Sequence, residues 1–246
     1  MTSAPEKNAW TYDGFTGGEL DPARWRIMAI NGADGERHQY RDRNARTRTG
    51  DGRFELTVNP FSRFHDTDPR QNNAKQMYQS VRRFPVPAAG ELTFEVDMAV
   101  RTYGQIPHDP LDAFGTVNLF DLETGVVLNA AATNDTLYAL VERLVIPGVT
   151  RPHEHYVHRV VLEVPTEPGR EHRYAITYRA DTSQAEFHVD GRLAYWARLP
   201  VPVAGFNAGM GLFSARDLSR YARAEREHGQ GATGRWGPWQ ITTGVR

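Results

Sequence analysis

The sequence predicts an all-β fold, an antiparallel two-sheet sandwich of the jelly-roll type. Three observations carry this. Period-two alternation of apolar and polar residues recurs along the 246-residue chain, helical periodicity is nearly absent, and glycine-containing turn signals punctuate the alternating runs. The clearest run is Leu92, Phe94, Val96, Met98 and Val100, interleaved with Thr93, Glu95, Asp97, Ala99 and Arg101. Such a strand turns its apolar set to a core and its polar set outward. Val117 and Leu119 alternate with Thr116, Asn118 and Phe120, and Leu137, Ala139 and Val141 with Tyr138, Leu140 and Glu142. Further strands are expected over 53–58, 75–84, 126–132, 155–164, 172–179, 184–189, 192–199, 207–213 and 236–242. Asp51-Gly52, Ala89-Gly90, Glu123-Thr124-Gly125, Pro168-Gly169 and Asp190-Gly191 mark turns between them. One segment departs from this pattern. Ser214-Ala-Arg-Asp217 has the form of a capping box, and Leu218 to His228 is rich in Ala, Arg and Glu, so a short helical insertion is expected over about 214–229. No repeat or linker is evident, and 1–246 is expected to form a single domain.

Composition narrows the chemistry. The chain has no cysteine, which removes disulfides, thiol catalysis and zinc–thiolate sites. Lys7 and Lys75 are the only lysines among 29 basic residues, so a Schiff-base mechanism has almost no candidate. A net charge of -1 provides no field for nucleic acid or an anionic membrane, and no apolar run reaches the roughly 18 residues of a membrane span. The first ten residues contain no apolar leader core, so a cytoplasmic location is expected. No dinucleotide fingerprint, P-loop, serine elbow or His-Glu-x-x-His motif occurs, and neither a cofactor nor a metal is expected. Two weaker metal signals are His153-Glu-His155, which lacks the downstream ligands of a cupin site, and His65-Asp-Thr-Asp68, which lacks EF-hand spacing.

Several segments, in order, resemble the concanavalin A-like lectin/glucanase superfamily. They are Tyr12-Asp-Gly-Phe15 with Leu20-Asp-Pro-Ala-Arg-Trp25, Gly90-Glu-Leu-Thr-Phe-Glu95, and His172-x-Tyr174-x-Ile176-x-Tyr178 followed by Phe187-x-Val189-Asp190-Gly191. Gly234-Arg-Trp-Gly-Pro-Trp-Gln-Ile241 stands where a closing aromatic strand belongs. The resemblance implies two curved sheets, one presenting a concave ligand cleft. It does not fix a function, because this fold carries lectins, glucanases and unrelated enzymes. Laminarinase-type glucanases carry Glu-x-Asp-x-x-Glu on one cleft strand. The nearest match here, Glu95-Val-Asp97-Met-Ala-Val100, lacks the third carboxylate.

Alternation then assigns candidate residues. Glu142, Tyr138 and His155 are the catalytic candidates: a carboxylate and a phenol on one strand face, and an imidazole beside the strand carrying Arg159. Asn118, Phe120, Arg159, Glu95, Asp97 and Trp196 are the substrate-binding candidates. Glu95 and Asp97 share a face roughly 7 Å apart, a spacing that splits carboxylate pKa values. The expected activity is acid/base chemistry without a cofactor, a dehydration, isomerisation or cyclisation of a small organic molecule such as an intermediate of specialised metabolism. The alternative is carbohydrate binding or glycoside hydrolysis, with Trp196, Trp236 and Trp239 as sugar platforms. The expected partner is thus a small molecule, with the chain a monomer or homodimer.

Overall fold

A computed structural model describes residues 7–31, 35–62, 73–109, 111–215 and 230–245. The first strands are β1 (Lys7–Asp13), β2 (Trp25–Ile27), β3 (Ala29–Asn31), β4 (Arg37–Gln39), β5 (Ala45–Gly50) and β6 (Arg53–Val58). They are followed by β7 (Lys75–Ser80), β8 (Phe84–Pro85), β9 (Gly90–Tyr103), β10 (Ala113–Asp121), β11 (Val126–Ala132) and β12 (Leu137–Arg143). The last are β13 (Tyr156–Leu162), β14 (Glu171–Arg179), β15 (Gln184–Val189), β16 (Arg192–Arg198), β17 (Gly205–Ser214), β18 (Gly231–Trp236) and β19 (Trp239–Val245). Two large antiparallel sheets result, as the alternation requires. The first runs β16-β15-β14-β9-β18-β6-β5, and the second runs β13-β12-β11-β10-β17-β7-β2. Among the described residues no helix is long and apolar enough to cross a membrane.

The 14-residue strand β9 is the spine of the first sheet. β14 pairs with one of its edges, while β19 and β18 divide the other, at Gly90–Glu95 and Met98–Tyr103 respectively. The closing strand expected over 236–242 is therefore two strands, broken at Gly237-Pro238. Proline has no N–H for the ladder, and the Gly237 N–H turns to the Asp97 carbonyl at 2.8 Å. The run expected over 75–84 is likewise split, into β7 and β8. β5 escaped the sequence reading because its Ala-Arg-Thr-Arg-Thr-Gly edge has no buried face to signal. The helical insertion expected over about 214–229 falls, beyond Ser214 and Ala215, outside the described residues, as does the His65–Asp68 loop.

The sheets meet face to face. Phe94, Val96, Met98 and Val100 from β9 pack with Val117, Leu119, Leu128, Val141, Met210 and Leu212 from the second sheet, in one core cluster. Trp236 links the layers directly, its indole N–H donating across the core to the Thr116 carbonyl at 3.0 Å. Trp239 is also fully buried, so neither tryptophan is a sugar platform. Near the N-terminus the Asp13 carboxylate accepts from the Trp25 indole and the Phe15 N–H, both at 2.8 Å, and so ties the first segment of the family resemblance into the core.

The outward faces of the two sheets differ. That of the first is solvated and charged: Arg173 bonds Asp97 at 2.9 Å, and Arg179 bonds Glu186 at 2.8 Å and Glu91 at 2.6 Å. The hydrogen bonds and charge of Arg179 hold the Glu186 carboxyl below the ordinary carboxylate range, against the opposing effect of burial. A carboxylate lowered in this way stabilises the fold above its unfolded pKa and loses that contribution as pH falls through the native value. Glu186→Gln is thus expected to be less stable than the parent at pH 7. Urea titrations should show the gap closing as pH drops below about 4.3, the ordinary glutamate value; a gap constant with pH would remove the ion pair as its cause. Trp236→Phe, which deletes the inter-sheet hydrogen bond and leaves space, is expected to cost about 2–3 kcal/mol in the same titration.

Candidate functional site

The middle of the second sheet is buried on both faces: every residue of β10 and of β11 is buried. Its outward side chains form cross-strand rows, because paired residues of antiparallel strands share a face. One row runs Gln79, Gly209, Asn118, Asn129, Leu140 and Arg159, each opposite the next on neighbouring strands. The adjacent row carries Asn207, Phe120, Val127, Glu142 and Val157. On the other flank stand Met77, Gly211, Thr116, Ala131, Tyr138 and Val161.

These rows floor a cavity of about 170 Å³. Asn118, Asn129, Leu140, Arg159, Phe120, Val127 and Glu142 line it from the sheet, with Lys75, Met77 and Phe213 from β7 and β17. Met28 and Tyr40, from the connections around β3 and β4, close one side. Two apolar clusters back its walls, one of Met28, Ile30, Tyr40, Met77, Phe120 and Val127, the other of Phe114, Ala131, Tyr138 and Leu140. Glycines on β17 make room for them. A Cβ at position 209 would lie 2.3 Å from the Phe120 ring, and one at 211 would lie 2.8 Å from Met77 Cγ.

Inside this apolar frame several polar atoms have no partner. Asn118 is 0% exposed and Asn129 8%, yet both Oδ1 atoms are buried without a hydrogen bond. Asn118 Nδ2 donates to Thr116 Oγ1 at 2.6 Å, and Thr116 Oγ1 donates in turn to the Gly211 carbonyl. That chain directs the Asn118 amide oxygen away from the hydroxyl. The Arg159 Nε is also buried and unpartnered, with its guanidinium carbon 5.5 Å from the Tyr138 ring centroid. Each buried orphan of this kind costs on the order of 1–3 kcal/mol unless something satisfies it.

The sequence-derived candidates divide sharply. Glu142, Asn118, Phe120 and Arg159 line the one cavity. His155 precedes β13 and places Nε2 3.9 Å from Glu142 Oε1. Tyr138, a catalytic candidate, is not among the residues lining the cavity: it is buried behind them, its ring against Phe114 at 5.5 Å and its hydroxyl without a partner. Burial raises its pKa well above 10, with Arg159 opposing, so the phenol keeps its proton. Glu95 and Asp97 do not belong to the cleft. β9 lies in the first sheet, and its polar set faces solvent on the far side of the sandwich, bridged by Arg173 at 3.7 and 2.9 Å. Trp196 is 54% exposed on edge strand β16, beside Tyr156, His158 and Tyr195, and is not among the residues lining the cavity. His153 is exposed, and no group of three potential metal ligands gathers among the described residues.

Lys75, Met28, Tyr40, Met77 and Asn129 went unread as site residues. Lys75 is 5% exposed, its ammonium 4.1 Å from the Tyr40 ring centroid, so one of the two lysines does reach the cavity. Asn129 left a signal: a lone amide within Val-Val-Leu-Asn-Ala-Ala-Ala, a strand otherwise apolar on both faces. Because neither amide oxygen is satisfied, Asn118→Leu and Asn129→Leu are each expected to hold or raise the melting temperature. A fall of more than about 5 °C, roughly 1–2 kcal/mol for a chain of this size, would show that the amides support the fold.

The whole chain is similar to solved glucanases. An endo-1,3-β-glucanase from Streptomyces sioyaensis superposes with TM-score 0.61 at 13% identity, over 100% of this chain and 99% of the other. An endo-1,3-β-glucanase (laminarinase) catalytic domain from Thermotoga petrophila gives 0.59 at 13%, over 98% of each chain. The Bacillus licheniformis β-glucanase gives 0.54 at 13%, over 100% of both. Identity this low shows the fold alone, and that fold is the concanavalin A-like jelly roll. No curated protein matches the sequence. The model of a family of unknown function, DUF6081, matches residues 12–245, and the chain belongs to that family.

Proposed function

We propose that the cavity on the second sheet is a small-molecule site and that Glu142 is its proton-transfer group, in an enzyme of the acid/base type. The observation that carries this reading is the cavity's content: one carboxylate, with partnerless buried amides beside it, inside apolar walls. By the same measure of volume, a cavity of roughly 150 Å³ takes a benzene ring, so about 170 Å³ suits a molecule built on one ring. In such a site a carboxylate can take a proton from a bound C–H or O–H group, and fixed amides supply orientation. His155 Nε2 stands 3.9 Å from Glu142 Oε1 at the edge of this floor. Dehydration, isomerisation and cyclisation all need such a group and a shaped floor.

The fold supports a second reading, since the similar structures are named as glucanases. Hydrolysis of a glycosidic bond uses a pair of carboxylates. Among the described residues lining the cavity Glu142 is the one carboxylate. This second reading is therefore of a binder of one glycosyl unit.

A screen of single-ring compounds and β-glucan oligosaccharides, with release of reducing sugar as a parallel assay, separates the two. The first reading expects single-ring ligands, and exchange or conversion of a ligand proton in D2O that Glu142→Gln abolishes with little change in melting temperature. A variant that keeps full activity removes Glu142 from the mechanism. Micromolar binding confined to oligosaccharides, or reducing-sugar release, would sink the first reading.

A further inference from the structure

We infer that the site takes a small carboxylic acid, its carboxylate held by Arg159 and a hydroxyl or amine at its other end donating to Asn118 and Asn129. This inference rests on the small-molecule reading of the cavity.

Arg159 is the starting point. Other arginines of the sandwich have carboxylate partners: Arg53 with Glu171, Arg83 with Asp121, Arg143 with Glu154 and Arg179 with Glu186, each within 3.0 Å. Arg159 lines the cavity with no carboxylate within 4 Å among the described residues, and its Nε is buried without an acceptor. A partly buried cation left in this state is costly, and a planar oxyanion answers it best, because the guanidinium fork matches the two oxygens of a carboxylate. The Tyr138 ring, 5.5 Å from the guanidinium carbon, gives the fork a surface to rest on. Glu142 does not fill this role. It stands in the neighbouring row, opposite Val157, with His155 Nε2 3.9 Å from its Oε1.

Asn118 and Asn129 define the other end. They are directly opposite on β10 and β11, so their side chains stand about 5 Å apart. Both present unpartnered amide oxygens, with the Asn118 nitrogen donating to Thr116 Oγ1 at 2.6 Å. Two acceptors side by side call for a donor. Arg159 lies two strands beyond Asn129 in the same row, about 10 Å away at the backbone, and its long side chain shortens that span. Between the polar ends Leu140 forms the floor, and Met77, Phe120 and Phe213 are apolar flanks. The arrangement fits a single ring with an acid at one end and a donor at the other.

The probes are 4-hydroxybenzoate, its neutral isostere 4-hydroxybenzamide, and phenol. Affinity is read by calorimetry, and location by the methyl resonances of ¹³C-labelled methionines. Met28 and Met77 line the cavity, whereas Met98 and Met210 lie in the core between the sheets. The acid is expected to shift the Met28 and Met77 methyls and to bind at least about tenfold more tightly than the amide, the least that a charged hydrogen bond contributes. Arg159→Gln should erase that preference, and Arg159→Lys, which keeps the charge without the fork, should leave part of it. Asn118→Leu should weaken 4-hydroxybenzoate more than benzoate. If amide or phenol binds at these methyls as tightly as the acid, or the acid's affinity ignores Arg159→Gln, the inference is overturned while the small-molecule site stands. If none of the three probes moves Met28 or Met77, the site reading fails and the inference with it.

Discussion

The outward face of the second sheet is covered along β10, β11 and most of β12, and much of the molecule's character follows from that. A sheet in a sandwich ordinarily buries one side and wets the other, as the first sheet does with its lattice of arginines and carboxylates. The second sheet has apolar clusters on its outward face as well as on its core face. A polar atom placed there has lost its water and must find a partner in the protein or in a ligand. Thr116 finds one in the Gly211 carbonyl, whereas the Asn118 and Asn129 oxygens and the Arg159 Nε do not. These three atoms lie on one cross-strand row and face one cavity, while other unpartnered buried atoms, Trp10 Nε1, Tyr174 Oη and Trp239 Nε1 among them, lie on the first sheet.

Partners separate residues that look alike in the sequence. Glu95, Asp97 and Glu142 are all acidic members of alternating strands. The first two pair with Arg173 on the outward face of the first sheet. Glu142 lines the cavity on the second sheet, where no other carboxylate among the described residues joins it. Chemistry that needs two acids is poorly served by this floor, and chemistry that needs one acid and a fixed orientation is well served.

Alternation made the strands legible because one buried face imposes a period of two on the side chains. β6 and β15 begin and end where the pattern does. Glu142, Asn118, Phe120 and Arg159 were legible as outward-facing for the same reason. Alternation distinguishes the two faces of a strand but not the two sheets of a sandwich, so Glu95 and Asp97 looked equally good until the pairing of β9 with β14 placed them on the far side. Met28, Tyr40 and Lys75 were not legible at all. They reach the cavity through connections and through β7, by contacts remote in sequence that no local pattern records. Proline drew the remaining boundary, since Gly237-Pro238 turns one apparent strand into two that share an edge.

The glycines of β17 extend this account to how such a cavity acquires its size. Gly209 and Gly211 occupy positions in the polar row and its flank where any side chain would strike Phe120 or Met77 before it met a ligand. Volume in this floor is therefore stored as absent methyl groups beneath movable rings, one layer removed from the surface a ligand touches. A lineage that added a carbon at 209 would tilt Phe120 into the enclosure and change which molecules fit, leaving Glu142, Asn118, Asn129 and Arg159 in place. The shape of the cavity and its polar content are thus set by different strands, the one by β17 and the other by β10 to β13.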